Sequence, residues 1–128
     1  MKNYSRQREA ILNEIQCRCD HPTASQIYEG VRKKIPNISL GTVYRNLALL
    51  VENGDILSVS VGDGVEHFDS DISFHLHQHC RNCGAIIDVK ASEGELKMFS
   101  QYDGFTPETS VCVVYGICKN CSQKTDIN

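Results

Sequence analysis

Apolar side chains recur at helical spacing through the first fifty residues, then at strand spacing. Ala10, Ile11 and Ile15, widened by Leu12, predict a helix over residues 5–17, which His21-Pro22 ends. Ile27, Val31 and Ile35 lie four apart and predict a second helix behind Thr23 as N-cap, stopped by Pro36-Asn37. Ser39 caps a third helix running to about Asn53. Its Val43, Leu47 and Leu50 form one apolar stripe, Thr42, Arg45 and Asn46 lie off it, and Gly54 supplies the stop. Two short runs, Ile56 to Val61 and Val65 to Phe68, flank Gly62-Asp63-Gly64 and predict a β-hairpin. Three helices followed by a hairpin is the order of a winged helix-turn-helix, in which the third helix enters a major groove and the hairpin lies along the backbone. The competing reading is a small helical core with no nucleic-acid role.

The segment Asp69-Ser70-Asp71-Ile72-Ser73 has the composition of a hinge. Beyond it, His75 to Cys80 and Ala85 to Lys90 predict antiparallel strands. Ser92 to Tyr102 predicts a helix capped by Ser92, with Leu96 and Phe99 inward. A long strand over Glu108 to Ile117 would carry Val111, Val113 and Tyr115 on one face. The expected class is therefore α+β: an N-terminal winged helix-turn-helix domain (1–69), a hinge (70–74), and a small α/β domain (75–128). No internal repeat or low-complexity segment interrupts it.

The junction of the two strands carries dense chemistry. Cys80 and Cys83 form one C-x-x-C and Cys118 and Cys121 a second, separated by 34 residues. Four thiolates from two knuckles are what a tetrahedral structural zinc takes; a dithiol redox pair and unliganded cysteines are the alternatives. The 34-residue separation exceeds finger spacing and calls for a folded unit between the knuckles. Just upstream, His75 and His77 fall on one face of their strand and Cys80 on the other, which separates two sites. His79 shares the face of the pair and is read as a rim histidine. Asp69 lies six residues before His75 and Asp88 five after Cys83. A nitrogen and oxygen donor set of this kind suits Fe(II) or Mn(II) rather than a thiolate-seeking ion.

Composition sharpens the picture in two respects. Residues 1–50 hold eight basic against four acidic side chains, net +4, whereas the remainder holds five against twelve, net −7. A basic front half joined to an acidic back half fits a nucleic-acid module attached to a sensing or assembly module. No apolar run approaches a membrane span and the N-terminus lacks a signal-peptide core, so the expected location is cytoplasmic, without a membrane partner. Seven cysteines are kept reduced there, which favours metal binding over a disulfide framework. Cys17, Cys19 and Cys112 remain and are expected as buried or partly buried free thiols.

Taken together, His21-Pro22-Thr23-Ala24, Gly41-Thr-Val-Tyr-Arg-Asn-Leu47, His75-x-His77-x-x-Cys80-x-x-Cys83-Gly84, Ile87-Asp88 and Tyr115-Gly-Ile-Cys118-x-x-Cys121 resemble the ferric uptake regulator (Fur) family. Within it they are most similar to the peroxide-sensing repressor (PerR) branch. The likeness spans nearly the whole chain. Carried over position by position, it implies a regulatory Fe(II) or Mn(II) site at His21, Asp69, His75, His77 and Asp88, and a structural Zn(II) site at Cys80, Cys83, Cys118 and Cys121. It further implies a homodimer built by the C-terminal half that represses transcription on double-stranded operator DNA when the regulatory metal is bound. In that branch Fe(II) reacts with hydrogen peroxide and a ligand histidine becomes 2-oxo-histidine, His21 and His75 matching the oxidised positions. Tyr44 and Arg45 match base-reading positions beside Thr42, and Lys2, Arg6 and Arg8 are placed as phosphate or minor-groove contacts.

The chain departs from the family pattern at two places. It begins close to the first shared helix, without the additional N-terminal helix of many relatives, and Arg45 is closer to the iron-uptake branch than to the asparagine of some peroxide sensors. Against an iron-uptake sensor, the stretch before Cys80 lacks a His-His-Asp-His run, and Asp88 stands where those relatives often have glutamate. An iron-, zinc- or manganese-uptake regulator without peroxide sensing is the alternative. An enzyme is not expected: H-E-x-x-H and the H-x-E with P-C-x-x-C of zinc deaminases are absent, and no organic small-molecule substrate is implied.

Overall fold

The computed structural model describes residues 2–94, 103–106, 108 and 110–125. The chain divides into two compact units, Met1–Ile72 and Ser73–Asn128.

The first unit is three helices and a hairpin: α1 (Lys2–Gln16), α2 (Ala24–Val31), α3 (Leu40–Glu52), β1 (Leu57–Ser60) and β2 (Glu66–Asp69). α1 begins at Lys2, three residues before the expected start. Thr23 starts α2 with a reciprocal capping box: its side chain accepts from the Gln26 amide while the Gln26 side chain accepts from the Thr23 amide at 2.9 Å. Thr23→Ala removes one half of this exchange, and we expect it to lower the thermal unfolding free energy by ~1 kcal/mol, read from the melting midpoint.

α2 stops at Val31, a turn short of the expected Ile35, yet Ile35 is still buried in the same core through the turn that follows. Ser39 caps α3 by accepting from the Thr42 amide. At its far end Gly54, at φ +80, lets its amide reach the Val51 carbonyl and the Asp55 amide reach Leu50, closing the helix in a Schellman arrangement that an L side chain would strain. Ile11, Ile15, Ile27, Val43, Leu47 and Phe68 make the centre of the core. Asn46, expected off the stripe, is buried. Its Nδ2 donates to the Thr42 carbonyl one turn back, which lets the amide enter an apolar face. β1 and β2 pair antiparallel, Leu57 opposite Asp69 and Ser60 opposite Glu66. This is a winged helix-turn-helix.

The second unit is a three-stranded sheet, order β4-β3-β5, followed by a short helix: β3 (His75–Cys80), β4 (Ile86–Lys90), β5 (Cys112–Gly116) and α4 (Lys119–Thr125). β3 and β4 are antiparallel as expected, and β5 joins β3 in parallel. The last strand is shorter than the expected Glu108–Ile117, and of the three residues expected on one face Val111 and Tyr115 are exposed and Val113 is half-buried. The helix expected over 92–102 falls largely on 95–102, with Leu96 and Phe99, outside the described residues. α4 was not foreseen by periodicity. Cys17 and Cys19, expected buried or partly buried, are exposed, because the apolar stripe of α1 ends at Ile15; Cys112 is half-buried as expected. The fold is α+β, a winged helix followed by a small α/β unit with a cluster of four cysteines.

Candidate metal centres

The thiol cluster is built by strand register. β3 ends at Cys80, and the chain turns through Cys83 to Gly84, whose positive φ lets its amide donate to the Cys80 carbonyl at 2.9 Å. Parallel pairing sets Gly116 beside Cys80, so Cys118 follows alongside and its amide donates to Cys80 Sγ at 3.3 Å. Cys121 comes round one turn later on α4 and is buried. The four sulphurs lie within 4.8 Å of one another, with Cys83 and Cys118 3.8 Å apart. A disulfide requires about 2.05 Å, whereas four ~2.3 Å bonds to one tetrahedral ion set sulphurs about 3.8 Å apart. The spacing therefore fits an ion and not a disulfide.

Protonation agrees with that fit. Backbone amides of Cys83 and Cys118 donate to the Cys80 sulphur and lower its pKa to about 6. Cys83 is raised to about 11: the Ala85 amide pulls it down, but the neighbouring Cys80 thiol, desolvation, and the Cys118 and Cys121 thiols outweigh it. Cys80 is thereby favoured as a thiolate and Cys83 as a thiol, and a divalent ion is the natural counter-charge for further thiolates in the cluster. Its uptake must release protons, and affinity must fall as pH falls.

The nitrogen and oxygen donors form two groups, one in each unit. In the second unit His77 stands opposite Asp88 in the β3–β4 register, and the His75 and His77 ring centroids are 4.4 Å apart. Asp88 Oδ1 lies 3.1 Å from His75 Nε2 and 3.5 Å from His77 Nε2, and both rings are buried. His75 Nδ1 lies 2.8 Å from the Ser73 carbonyl, which only accepts, so Nδ1 carries the proton. Nε2 then faces the Asp88 carboxylate oxygen, and the space between them suits either a proton or a metal cation. In the first unit His21 Nε2 lies 3.3 Å from Asp69 Oδ2, with side-chain exposures of 3% and 9%. The Asp71 amide donates to the other Asp69 oxygen at 2.9 Å and orients the carboxylate. Each group sets buried imidazole against a carboxylate, Asp69 buried and Asp88 exposed, a donor type that borderline divalent ions take.

Of the remaining candidates, Tyr44 and Arg45 are exposed on α3, and Arg45 Nη2 donates to the half-buried Thr42 hydroxyl at 3.1 Å. Arg6 is exposed and Arg8 half-buried on α1; Lys2 begins that helix. His79 is half-buried, edge-on to Tyr115 with centroids 5.8 Å apart. Spacing did not single out His67, on β2, whose ring touches the His21 backbone; its signal would have been Asp63 four residues earlier in the hairpin turn. Among the described residues no helix is long and apolar enough to cross a membrane.

A family model described as the ferric uptake regulator family matches residues 2–115. The peroxide operon regulator of Bacillus subtilis is 37% identical over 121 residues, covering 92% of this chain and 83% of that protein. The peroxide-responsive repressor PerR of Staphylococcus aureus is 33% identical over 120 residues, covering 92% and 81%. Among solved structures, the Campylobacter jejuni peroxide stress regulator superposes with a TM-score of 0.81 at 28% identity, covering 93% of this chain and 91% of that one.

Proposed function

The chain belongs to the ferric uptake regulator family, and from that premise we propose that it is a metal-dependent, homodimeric transcriptional repressor that senses hydrogen peroxide, and not an enzyme. The observation that carries the reading is the pairing of buried imidazoles with carboxylates, His21 with Asp69 and His75 and His77 with Asp88, beside a separate four-thiol cluster. Two ion classes are thereby kept apart: Zn(II) at Cys80, Cys83, Cys118 and Cys121, and Fe(II) or Mn(II) on the five nitrogen and oxygen donors.

In this reading the winged helix of residues 1–69 binds operator DNA, residues 70–74 are the hinge, and residues 75–128 hold the dimer. One regulatory ion takes ligands from both groups. It shifts the population toward the DNA-competent arrangement by as much as it prefers that arrangement. On α3, Tyr44 offers a ring to a thymine methyl, and Arg45 offers a fork to base edges while Thr42 braces its guanidinium. Arg6 and Arg8 contact phosphates. The exposed Ile87 and Val114, which flank Gln78 on one face of the sheet, give a second copy of the chain an apolar surface to cover.

Fe(II) on these donors would supply the reduction of hydrogen peroxide, the net change being imidazole plus hydrogen peroxide to 2-oxo-imidazole plus water. His21 and His75 are the rings we expect to be oxidised: an imidazole that gains oxygen would be a weaker ligand, so the ion would be released and repression would end. Mass spectrometry of the Fe(II) form after peroxide is expected to find added oxygen, +16 Da, on peptides bearing His21 or His75, with the Mn(II) form unmodified. Unmodified peptides from the Fe(II) form, alongside metal-dependent DNA binding that peroxide leaves intact, would instead favour a metal-uptake regulator of the same family, in keeping with Arg45.

A further inference from the structure

His67 is a buried-edge histidine that neither the metal reading nor the DNA reading uses. It sits on β2, two residues before Asp69, and its side chain touches two segments that the chain order keeps apart. Its Nδ1 lies 2.9 Å from the backbone carbonyl of His21, and its Nε2 lies 2.7 Å from Asp63 Oδ2 in the hairpin turn. Around it, Thr23 forms a β-bridge with His67 and the Phe68 amide donates to the Pro22 carbonyl at 3.0 Å, so the segment 21–23 runs against β2.

The need for such an anchor is visible in the backbone. His21 takes φ +52, the left-handed region that L side chains rarely adopt. Conformations of that kind persist only where surroundings over-determine them. It is from this conformation that the His21 ring meets Asp69 at 3.3 Å.

We propose that His67 is a positioning residue for the regulatory metal site: held at Nε2 by Asp63 of the wing turn, its ring fixes the His21 carbonyl through Nδ1 and so presents the His21 imidazole to the ion. The carbonyl can only accept, so Nδ1 donates. Asp63 is held below the usual carboxylate range by the His67 hydrogen bond first and the Val65 amide second. The ring therefore joins the wing turn to a metal ligand, and an ion that orders His21 also steadies the wing.

The inference rests on His21 being a ligand, and the experiment separates the two. The probe is Mn(II), with dissociation constants measured by electron paramagnetic resonance on the full-length, zinc-loaded protein. His67→Asn keeps an amide donor near the Nδ1 position and loses the reach to Asp63. His67→Gln reaches the Nε2 position and loses the bond to the His21 carbonyl. Residues that orient a metal ligand typically govern 10–100-fold of affinity. His67→Gln is expected to weaken Mn(II) binding about 10-fold, and His67→Asn by no more than about 3-fold, with zinc content unchanged in both. Equal affinities in the two variants, whether both like the parent or both weak, overturn the positioning role and leave the metal site standing. A parent protein whose Mn(II) affinity is unaffected by His21→Ala would instead overturn the metal reading itself.

Discussion

Cys80→Ser is expected to take the zinc content of the protein from one ion per chain to none and to unfold the Ser73–Asn128 unit. A serine hydroxyl does not ionise near neutral pH, so the substitution removes one of four ligands and the one sulphur whose pKa, about 6, makes it a thiolate before metal arrives. The effect is large because, among the described residues, few other buried contacts hold this unit together. Among its described residues the buried apolar side chains are Cys80, Ile86, Ala91 and Cys121, two of which are themselves ligands, with His75 and His77 as buried polar neighbours. Area burial on that scale supplies a few kcal/mol, at ~1.5–3 kcal/mol for each large side chain, whereas structural zinc in small domains contributes on the order of 10 kcal/mol. Elemental analysis and circular dichroism check the result. Cys112→Ser, on β5 outside the cluster, should keep its zinc and its fold. A Cys80→Ser protein that retains both would show that the cluster is an incidental gathering of thiols.

The first unit was legible because its determinants are local. Thr23 and Ser39 cap helices through bonds three residues long, and Gly54 ends one through its own amide and the next, so each boundary is written within a turn or so of itself. The C-x-x-C pairs and the alternation of His75 and His77 were legible for the same reason. What escaped depends on partners distant in sequence. β5 lies parallel to β3, with Cys80 beside Gly116 across 36 positions, and no periodicity announces that neighbour. α4, Lys119-Asn-Cys-Ser-Gln-Lys-Thr125, has no apolar repeat; it begins directly after Cys118, and Cys121 on its first turn belongs to the thiol cluster. Asn46 reads as lying off the apolar stripe, and its burial depends on its amide reaching the Thr42 carbonyl. His67 was missed because one partner is a carbonyl set by a left-handed backbone at His21, which no spacing rule sees, and the other, Asp63 four residues earlier, is an unspecific spacing by itself.

Asp69→Ala and Asp88→Ala are expected to have the same consequence, although one residue closes the hairpin of the first unit and the other lies on β4 of the second. If one ion draws on both groups, each substitution removes a charged ligand from it. Mn(II) affinity should then fall at least about 100-fold in each, beyond the range usual for groups that only orient a ligand. Zinc content stays at one per chain, since neither carboxylate belongs to the thiol cluster. The gain in operator affinity on adding Mn(II), of the size usual for coupled sites at about 5–150-fold, should vanish in both. An ion bound equally well by every arrangement of the two units would shift nothing, however tightly it was held, so the loss of coupling is a sharper test than the loss of affinity. The opposing outcome is equally readable. Were the two groups to hold separate ions, Asp69→Ala would leave one Mn(II) on His75, His77 and Asp88 with its affinity intact, Asp88→Ala would leave one with His21 and Asp69, and the parent would bind two. Ion counting by native mass spectrometry, with operator binding followed in parallel, decides between one shared ion and two local ones.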